Sequence, residues 1–450
     1  MSSLLIHWSL MLKPLPHTPI GPDGFSAARG SVRTPAGSGF FKRFMIFVGP
    51  GYLVATGYMD PGNWATALAA GSQFGMRLLC VAFLSSLMAI VLQALSARLA
   101  FGANLDLAQA CRAWLPRRAV VFLWLTQEIA ILATDFAEVI GTAIGIQLLF
   151  GLPLWLGAIV TALDVGLILL FERFGFRKLE AFVIALLVVI AVCFAIQLAL
   201  ARPDWAAAAR GLVPSAELAT DPKMLYLALG ILGATVMPHN LFLHSSVVQT
   251  RAVAPDLPAR REAIRFALAD SAFALIFAMT INGSILILAA ATFYAHGHPE
   301  VVEISDAYRL IAPVLGAPLA AKLFAVALIA CGLNSSLTAT LAGQLIMDGF
   351  LRMRLSPAGR RLITRALTIT PAVATTLIAG EAAAGRLLVF SQVALSFALP
   401  FAILPLVWFT GSRKIMGPLI ASRATTLLAG AIGIGITLLN IKLIYDTFAG

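Results

Sequence analysis

Asp60-Pro61-Gly62-Asn63 and Met237-Pro238-His239-Asn240 set carboxylate, amide, imidazole and thioether groups beside prolines, inside two strongly apolar stretches. Proline removes a backbone N–H and clashes with the preceding turn, so a helix that carries it mid-length frees carbonyl oxygens. In hydrocarbon those oxygens need another partner. Asp, Asn and Met beside them supply oxygen and sulfur donors, a set that suits a cation better than an anion. The plain alternative is a pair of proline kinks, since Pro and Gly are common in membrane helices. Two kinks that both carry ligand-type side chains weigh against it.

Three further acidic groups, Glu128, Asp135 and Glu138, share one apolar stretch. A charge there costs about 2.5–3.5 kcal/mol even on a lenient scale, which weighs against lipid-facing placement. At about 100° per residue the three fall on one helix face and span about 15 Å. They form either a ladder for protons or an ion-pair stripe, for which Arg360, Arg361 and Arg365 are available partners. His239 has three possible fates, as metal ligand, proton carrier or packing residue; an imidazole titrates near neutral pH and so suits the second. His244, about 140° further round the helix, is read as a group behind the site or beside water.

The elements that must hold these groups follow from composition. The chain has 450 residues, 60% hydrophobic and 12% charged, with mean hydropathy +0.92, against roughly 25% charged in soluble domains. Windows of about 20 apolar residues recur along it and give about eleven spans. This predicts an all-α polytopic membrane protein. The net charge of +11 does not point to nucleic acid. With the N-terminus inside, every Lys and Arg except Arg77, Arg202, Arg210, Lys223, Arg309, Lys322, Arg386 and Lys442 lies in the tail, in an inner loop or at an inner helix end. That asymmetry places the N-terminus in the cytoplasm and the C-terminus outside. Cys80, Cys111, Cys193 and Cys331 are scattered without paired spacing, so neither a disulfide nor a zinc site is expected.

Residues 1–42, with five prolines in the first 40, read as a disordered cytoplasmic tail. Residues 43–205 form a first five-helix unit, 220–410 a second, and 411–450 an additional eleventh helix. Each interrupted helix then opens its half, which is the pattern of an inverted-repeat transporter with its site near the bilayer midplane. The halves share spacing and hydropathy but no convincing residue identity.

From about Met45 to the end of the tenth span the chain resembles the Nramp (natural resistance-associated macrophage protein) family of proton-coupled divalent metal transporters. The resemblance is carried, in order, by Asp60-Pro61-Gly62-Asn63, Ala133-Thr134-Asp135-Phe136-Ala137-Glu138, Ala234-Thr235-Val236-Met237-Pro238-His239-Asn240, Thr340-Leu341-Ala342-Gly343-Gln344, Arg361-Leu362-Ile363-Thr364-Arg365, and Ser391-Gln392-Val393 with Pro400. It implies a LeuT-type 5+5 inverted repeat with helices 1 and 6 broken, and import of Mn²⁺ or Fe²⁺, also Co²⁺ and Cd²⁺, with protons by alternating access. It implies no enzyme activity and no cofactor beyond the transported ion and H⁺.

The same resemblance places metal ligation on the Asp60 carboxylate, the Asn63 amide oxygen, the Ala234 carbonyl and the Met237 sulfur. Gln392 either adds an oxygen or makes an interhelical hydrogen bond. The implied proton route runs through Asp60, His239, Glu138 and Asp135, with Glu128, Arg360 and Arg361 toward its inner end. A thioether favours softer ions over Mg²⁺ and Ca²⁺, which makes Met237 the selectivity residue. Ala67 and Asp348 depart from residues frequent in the family, outside this ligand set. The rival readings are a magnesium-type relative, which Met237 argues against, and a sodium-coupled amino-acid symporter of the same fold. The expected setting is the plasma membrane, the inner membrane in a bacterium, with lipid, metal ion and protons as partners, no nucleic acid, and a monomer.

Overall fold

The computed structural model describes residues 29–32, 39–163, 176–299, 301, 303–352 and 357–449. Among these the chain is helical throughout its elements: α1 (Phe40–Phe47), α2 (Pro50–Gly57), α3 (Pro61–Phe74), α4 (Leu79–Ala103), α5 (Leu107–Trp114), α6 (Arg117–Phe150), α7 (Leu154–Val160), α8 (Phe176–Ala201), α9 (Pro222–Val236), α10 (Pro238–Val247), α11 (Leu257–Thr292), α12 (Ile304–Leu315), α13 (Pro318–Leu351), α14 (Pro357–Ala379), α15 (Glu381–Gly411) and α16 (Arg423–Ala449), with shorter helical turns in the links. Among the described residues eight helical stretches are long and apolar enough to cross a membrane. One of them, Pro61–Ala103, joins α3 to α4 through a turn at Gly75, whose φ of 59° suits glycine, so α2 with α3 accounts for the first expected span and α4 for the second. Two shorter apolar helices, Leu154–Leu163 and Leu362–Ile378, lie within the fourth and ninth expected spans, 153–171 and 362–380. Residues 164–171 of the expected fourth span fall outside the described residues, as do residues 1–28 and 33–38 of the expected tail.

The helices wrap around the two broken ones. α6 packs along α13, α9 along α15, and α11 along both α3 and α4. Trp64, one turn into α3, is buried between Phe194 and Phe324, with ring centroids 4.8 and 5.2 Å away in edge-on geometry. Outward faces carry exposed Leu427, Ile434 and Leu438 on α16, as expected of helices that meet lipid rather than water.

Both breaks follow from local chemistry. α3 and α10 each begin on proline, where the missing N–H would lack a partner anyway. Asp60 caps α3 by accepting from Asn63 N at 2.8 Å. Met237 joins α9 to α10 at φ 37° and ψ 110°, a left-handed backbone that a non-glycine residue adopts only under strain.

The link between α4 and α5 lies outside the spanning helices and holds Asp106, a buried carboxylate. Asp106 Oδ1 accepts from Gln109 N at 2.8 Å, and Gln109 returns a bond to Asp106 N at 3.3 Å, a reciprocal cap on α5. Burial pushes its carboxyl up to about 6, against the opposing pull of the Gln109 N–H, Arg29 and Arg112. Between the ordinary value near 4 and about 6 the folded chain binds more protons than the unfolded one, so stability falls as pH rises through that window. Asp106→Asn keeps the cap. It is therefore expected to melt above wild type at neutral pH, with the difference vanishing near pH 4 in a fluorimetric melt; a difference independent of pH would contradict this.

Candidate metal site

The two breaks meet through one side chain. Asn63 Nδ2 donates to Asp60 Oδ1 at 2.8 Å and to the Ala234 carbonyl at 2.8 Å, so three of the expected residues, drawn from both broken helices, are in direct contact. The amide N–H₂ stands between two oxygen acceptors, where its positive hydrogens satisfy both. Asp60 Oδ2 is buried and meets no hydrogen-bond partner among the described residues. Such an orphaned buried oxygen is rare and calls for a proton, an ion or water.

Met237 is fully buried three residues beyond Ala234. Its side chain packs with Ala130 and Ala133 of α6 and with Leu395 and Ala398 of α15, and its sulfur lies 3.5 Å from Asn240 Nδ2. Gln392 of α15 presses its amide onto the Cα of Gly62, so closely that any Cβ at position 62 would coincide with it. Its Nε2 bonds Ser391 Oγ at 3.0 Å, while its buried Oε1 has no partner among the described residues. Gln392 thus reaches the first break, and among the described residues its side chain makes no interhelical hydrogen bond. Gly141 of α6 lies as tightly against Pro61. Glycine at 62 and 141 lets neighbouring helices close on the break, a role that the sequence reading did not assign.

The expected proton residues divide into two groups. Glu128 is held by Arg360, whose Nη2 donates to both carboxylate oxygens at 2.8 and 3.1 Å, and its Oε1 also accepts from Trp124 Nε1 at 3.0 Å. Glu138 is buried with Arg365 4.0 Å away, and Asp135 is buried one turn earlier on α6. The Arg361 side chain lies outside the described residues. His239 is buried beside Pro238, its Nδ1 without a hydrogen-bond partner among the described residues, and His244 Nδ1 contacts the Gln93 carbonyl at 3.1 Å. Gln93 also bonds the Tyr58 hydroxyl at 2.6 Å, and Asn282 bonds the Tyr58 carbonyl at 2.6 Å. Asn282 therefore serves as the helix–helix hydrogen bond expected of a buried intramembrane Asn.

A second polar cluster, not foreseen as a unit, grips the start of α2. Asp270 accepts from Gly49 N at 3.1 Å and Gly51 N at 2.6 Å, a carboxylate on free N–H groups at a helix start. Beside it Arg251 pairs with Glu180 at 2.7 and 3.1 Å and donates to the Ile46 and Val48 carbonyls at 2.9 and 3.1 Å. The sequence signals were Asp270, an acidic residue inside an apolar stretch expected to make a helix–helix hydrogen bond or line a cavity, with Glu180 and Arg251 as charges near span ends.

A family model described as natural resistance-associated macrophage protein-like matches residues 51–446, nearly the whole helical body. The chain belongs to the Nramp family. It is 58% identical over 434 residues to the divalent metal cation transporter MntH of Xanthomonas campestris pv. campestris, covering 96% of this chain and 98% of the relative. The manganese transporter of Eremococcus coleocola, solved in complex with an aromatic bis-isothiourea substituted compound, is similar at TM-score 0.85 and 41% identity, covering 93% of this chain and 90% of that one. Mhp1, a nucleobase-cation-symport-1 family transporter in a closed conformation, shares the LeuT-type fold at TM-score 0.60 and 15% identity. At that distance the likeness speaks for fold alone. Within this Nramp chain the matched region contains both breaks and every motif quoted above.

Proposed function

We propose that this protein imports divalent transition-metal ions, Mn²⁺ foremost with Fe²⁺, Co²⁺ and Cd²⁺, together with protons, by alternating access. The observation that carries the reading is the Asn63 amide nitrogen bridging the Asp60 carboxylate and the Ala234 carbonyl across the two breaks. A cation that replaces that N–H₂ finds the same two oxygens. Rotation of the Asn63 amide then offers its oxygen, the unmet Asp60 Oδ2 turns inward, and the Met237 sulfur and Gln392 Oε1 complete an oxygen-and-sulfur set. The nature of the Nramp relatives, named as divalent metal cation and manganese transporters, supports the same conclusion and a transporter rather than an enzyme.

Proton coupling follows from charge. A dication beside Asp60 stabilises its anionic form, so arrival of metal expels any proton held there. His239, Glu138 and Asp135 are the groups proposed to take it onward, with Glu128 and Arg360 fixing the inner end of the route and His244 behind the site. The units 43–205 and 220–410 are proposed to rock around the broken helices, with 411–450 outside the repeat. The setting is a multi-pass plasma-membrane monomer with a cytoplasmic N-terminus and an external C-terminus. The magnesium-type reading is disfavoured by the buried Met237 sulfur. An amino-acid symporter is disfavoured by Asp60, which would repel a substrate carboxylate at the first break.

Purified protein in liposomes carrying a lumenal pH dye tests the coupling. Mn²⁺ uptake is expected to strengthen as the outer medium becomes mildly acidic and to acidify the lumen. Metal entry without acidification would refute the symport; no metal entry at all would refute the transport reading.

A further inference from the structure

Within the stretch read as a tail, residues 29–32 lie against the end of the second broken helix. Gly30 N donates to Gln249 O at 2.9 Å, Val32 N to Thr250 O at 3.0 Å, and Ala252 N to Val32 O at 2.9 Å, so Val32 and Arg251 form a parallel bridge. Arg29 reaches the opposite way, where its Nη2 donates to the Asn104 carbonyl at 2.6 Å and caps the left-handed end of α4. The arm therefore ties the C-terminal end of α4 to the segment that follows α10.

That segment carries Arg251, the buried side chain that holds the Ile46 and Val48 carbonyls just before α2 and pairs with Glu180 of α8. Asp270 of α11 fixes the next two N–H groups, at Gly49 and Gly51. The first half of the broken helix is thus anchored at its start by side chains from α8, α11 and the 249–252 segment. The 249–252 segment is in turn pinned by the arm. Asp60 and Met237, just beyond the far ends of α2 and α9, are 0% exposed, so both breaks are buried in this state. The inward metal release proposed above is read as movement of α2 off these anchors.

We propose that residues 29–32 are a clasp that restrains inward opening: by pairing with 249–252 they hold Arg251 on the start of α2, and release of the arm favours the state that lets the ion out. This rests on the inward metal release proposed above. The arm makes its pairing through backbone groups, so Val32→Pro, which removes the N–H that Thr250 accepts, weakens it without touching Arg251, Glu180 or Asp270. A chain restarted at Gly39 removes it altogether.

Hydrogen–deuterium exchange followed by mass spectrometry on peptides covering Pro50–Gly57 reads the effect at a helix the arm does not itself pair with. Loss of one backbone bond is expected to speed exchange of α2 about fivefold in Val32→Pro, and loss of the whole arm about tenfold or more, with α16 unchanged in both. Mn²⁺ uptake per molecule in liposomes is expected to rise in the same variants. Exchange of α2 equal to wild type in the truncated chain overturns the clasp, and so does uptake that falls while α2 opens faster. A wild-type protein that moves no Mn²⁺ overturns the transport reading instead, and the exchange result alone then decides the clasp.

Discussion

Asp60→Asn is expected to abolish Mn²⁺ uptake and to remove Mn²⁺ binding, while the protein still folds. Asn caps a helix as well as Asp does, so the bond from Asn63 N that starts α3 survives. The change is isosteric and deletes only the negative charge. Partners that merely orient a metal ligand are worth about 10–100-fold in affinity, so loss of the one carboxylate at the junction of the breaks is expected to exceed about 100-fold. The check is paired: Mn²⁺ titration calorimetry and melting with and without Mn²⁺. Wild type should gain thermal stability with metal and the variant should not, because only a ligand bound to the folded state shifts its melting. A variant that binds and carries Mn²⁺ like wild type would remove Asp60 from the site.

Met237→Ala is expected to leave transport in place but to blur its selectivity. Mn²⁺ affinity should weaken on the order of tenfold, the equivalent of about 1.4 kcal/mol, and Ca²⁺ or Mg²⁺ in excess should now compete with Mn²⁺ or Cd²⁺ uptake. The sulfur discriminates because it adds little for hard cations and more for softer ones. Truncation also empties space against Ala130 and Leu395, and Met→Ala in a core costs about 2–5 kcal/mol. Stability alone therefore cannot judge the role, whereas the competition profile can. Unchanged competition by Ca²⁺ would leave Met237 as a packing residue.

Much of this arrangement was legible in the sequence because polar groups stand out against hydrocarbon. Asp60 with Pro61 and Met237 with Pro238 interrupt apolar runs, and the structure places a helix start at each proline. The acidic face of α6 was legible from spacing, and Glu128 does meet one of the arginines offered as its partner, Arg360. Other features depended on distances that no local pattern encodes. Gly62 and Gly141 look like any glycine of a membrane helix until Gln392 and Pro61 arrive from other spans. Glu180 and Arg251 lie 71 positions apart and each resembles an ordinary charge at the end of a span. Only the folding of α8 and the end of α10 around α2 turns them into one buried pair. The pairing of residues 29–32 was illegible for a different reason: a stretch rich in Pro, Gly and Ser has no periodic apolar face, and its bonds run through the backbone.

Anomalous diffraction from Mn²⁺-soaked crystals tests the central claim most directly, since it locates the ion without reference to activity. The account predicts one peak between the two breaks, within coordinating distance of both the Asp60 carboxylate and the Met237 sulfur. A peak held elsewhere, with those two side chains free of metal, would contradict it.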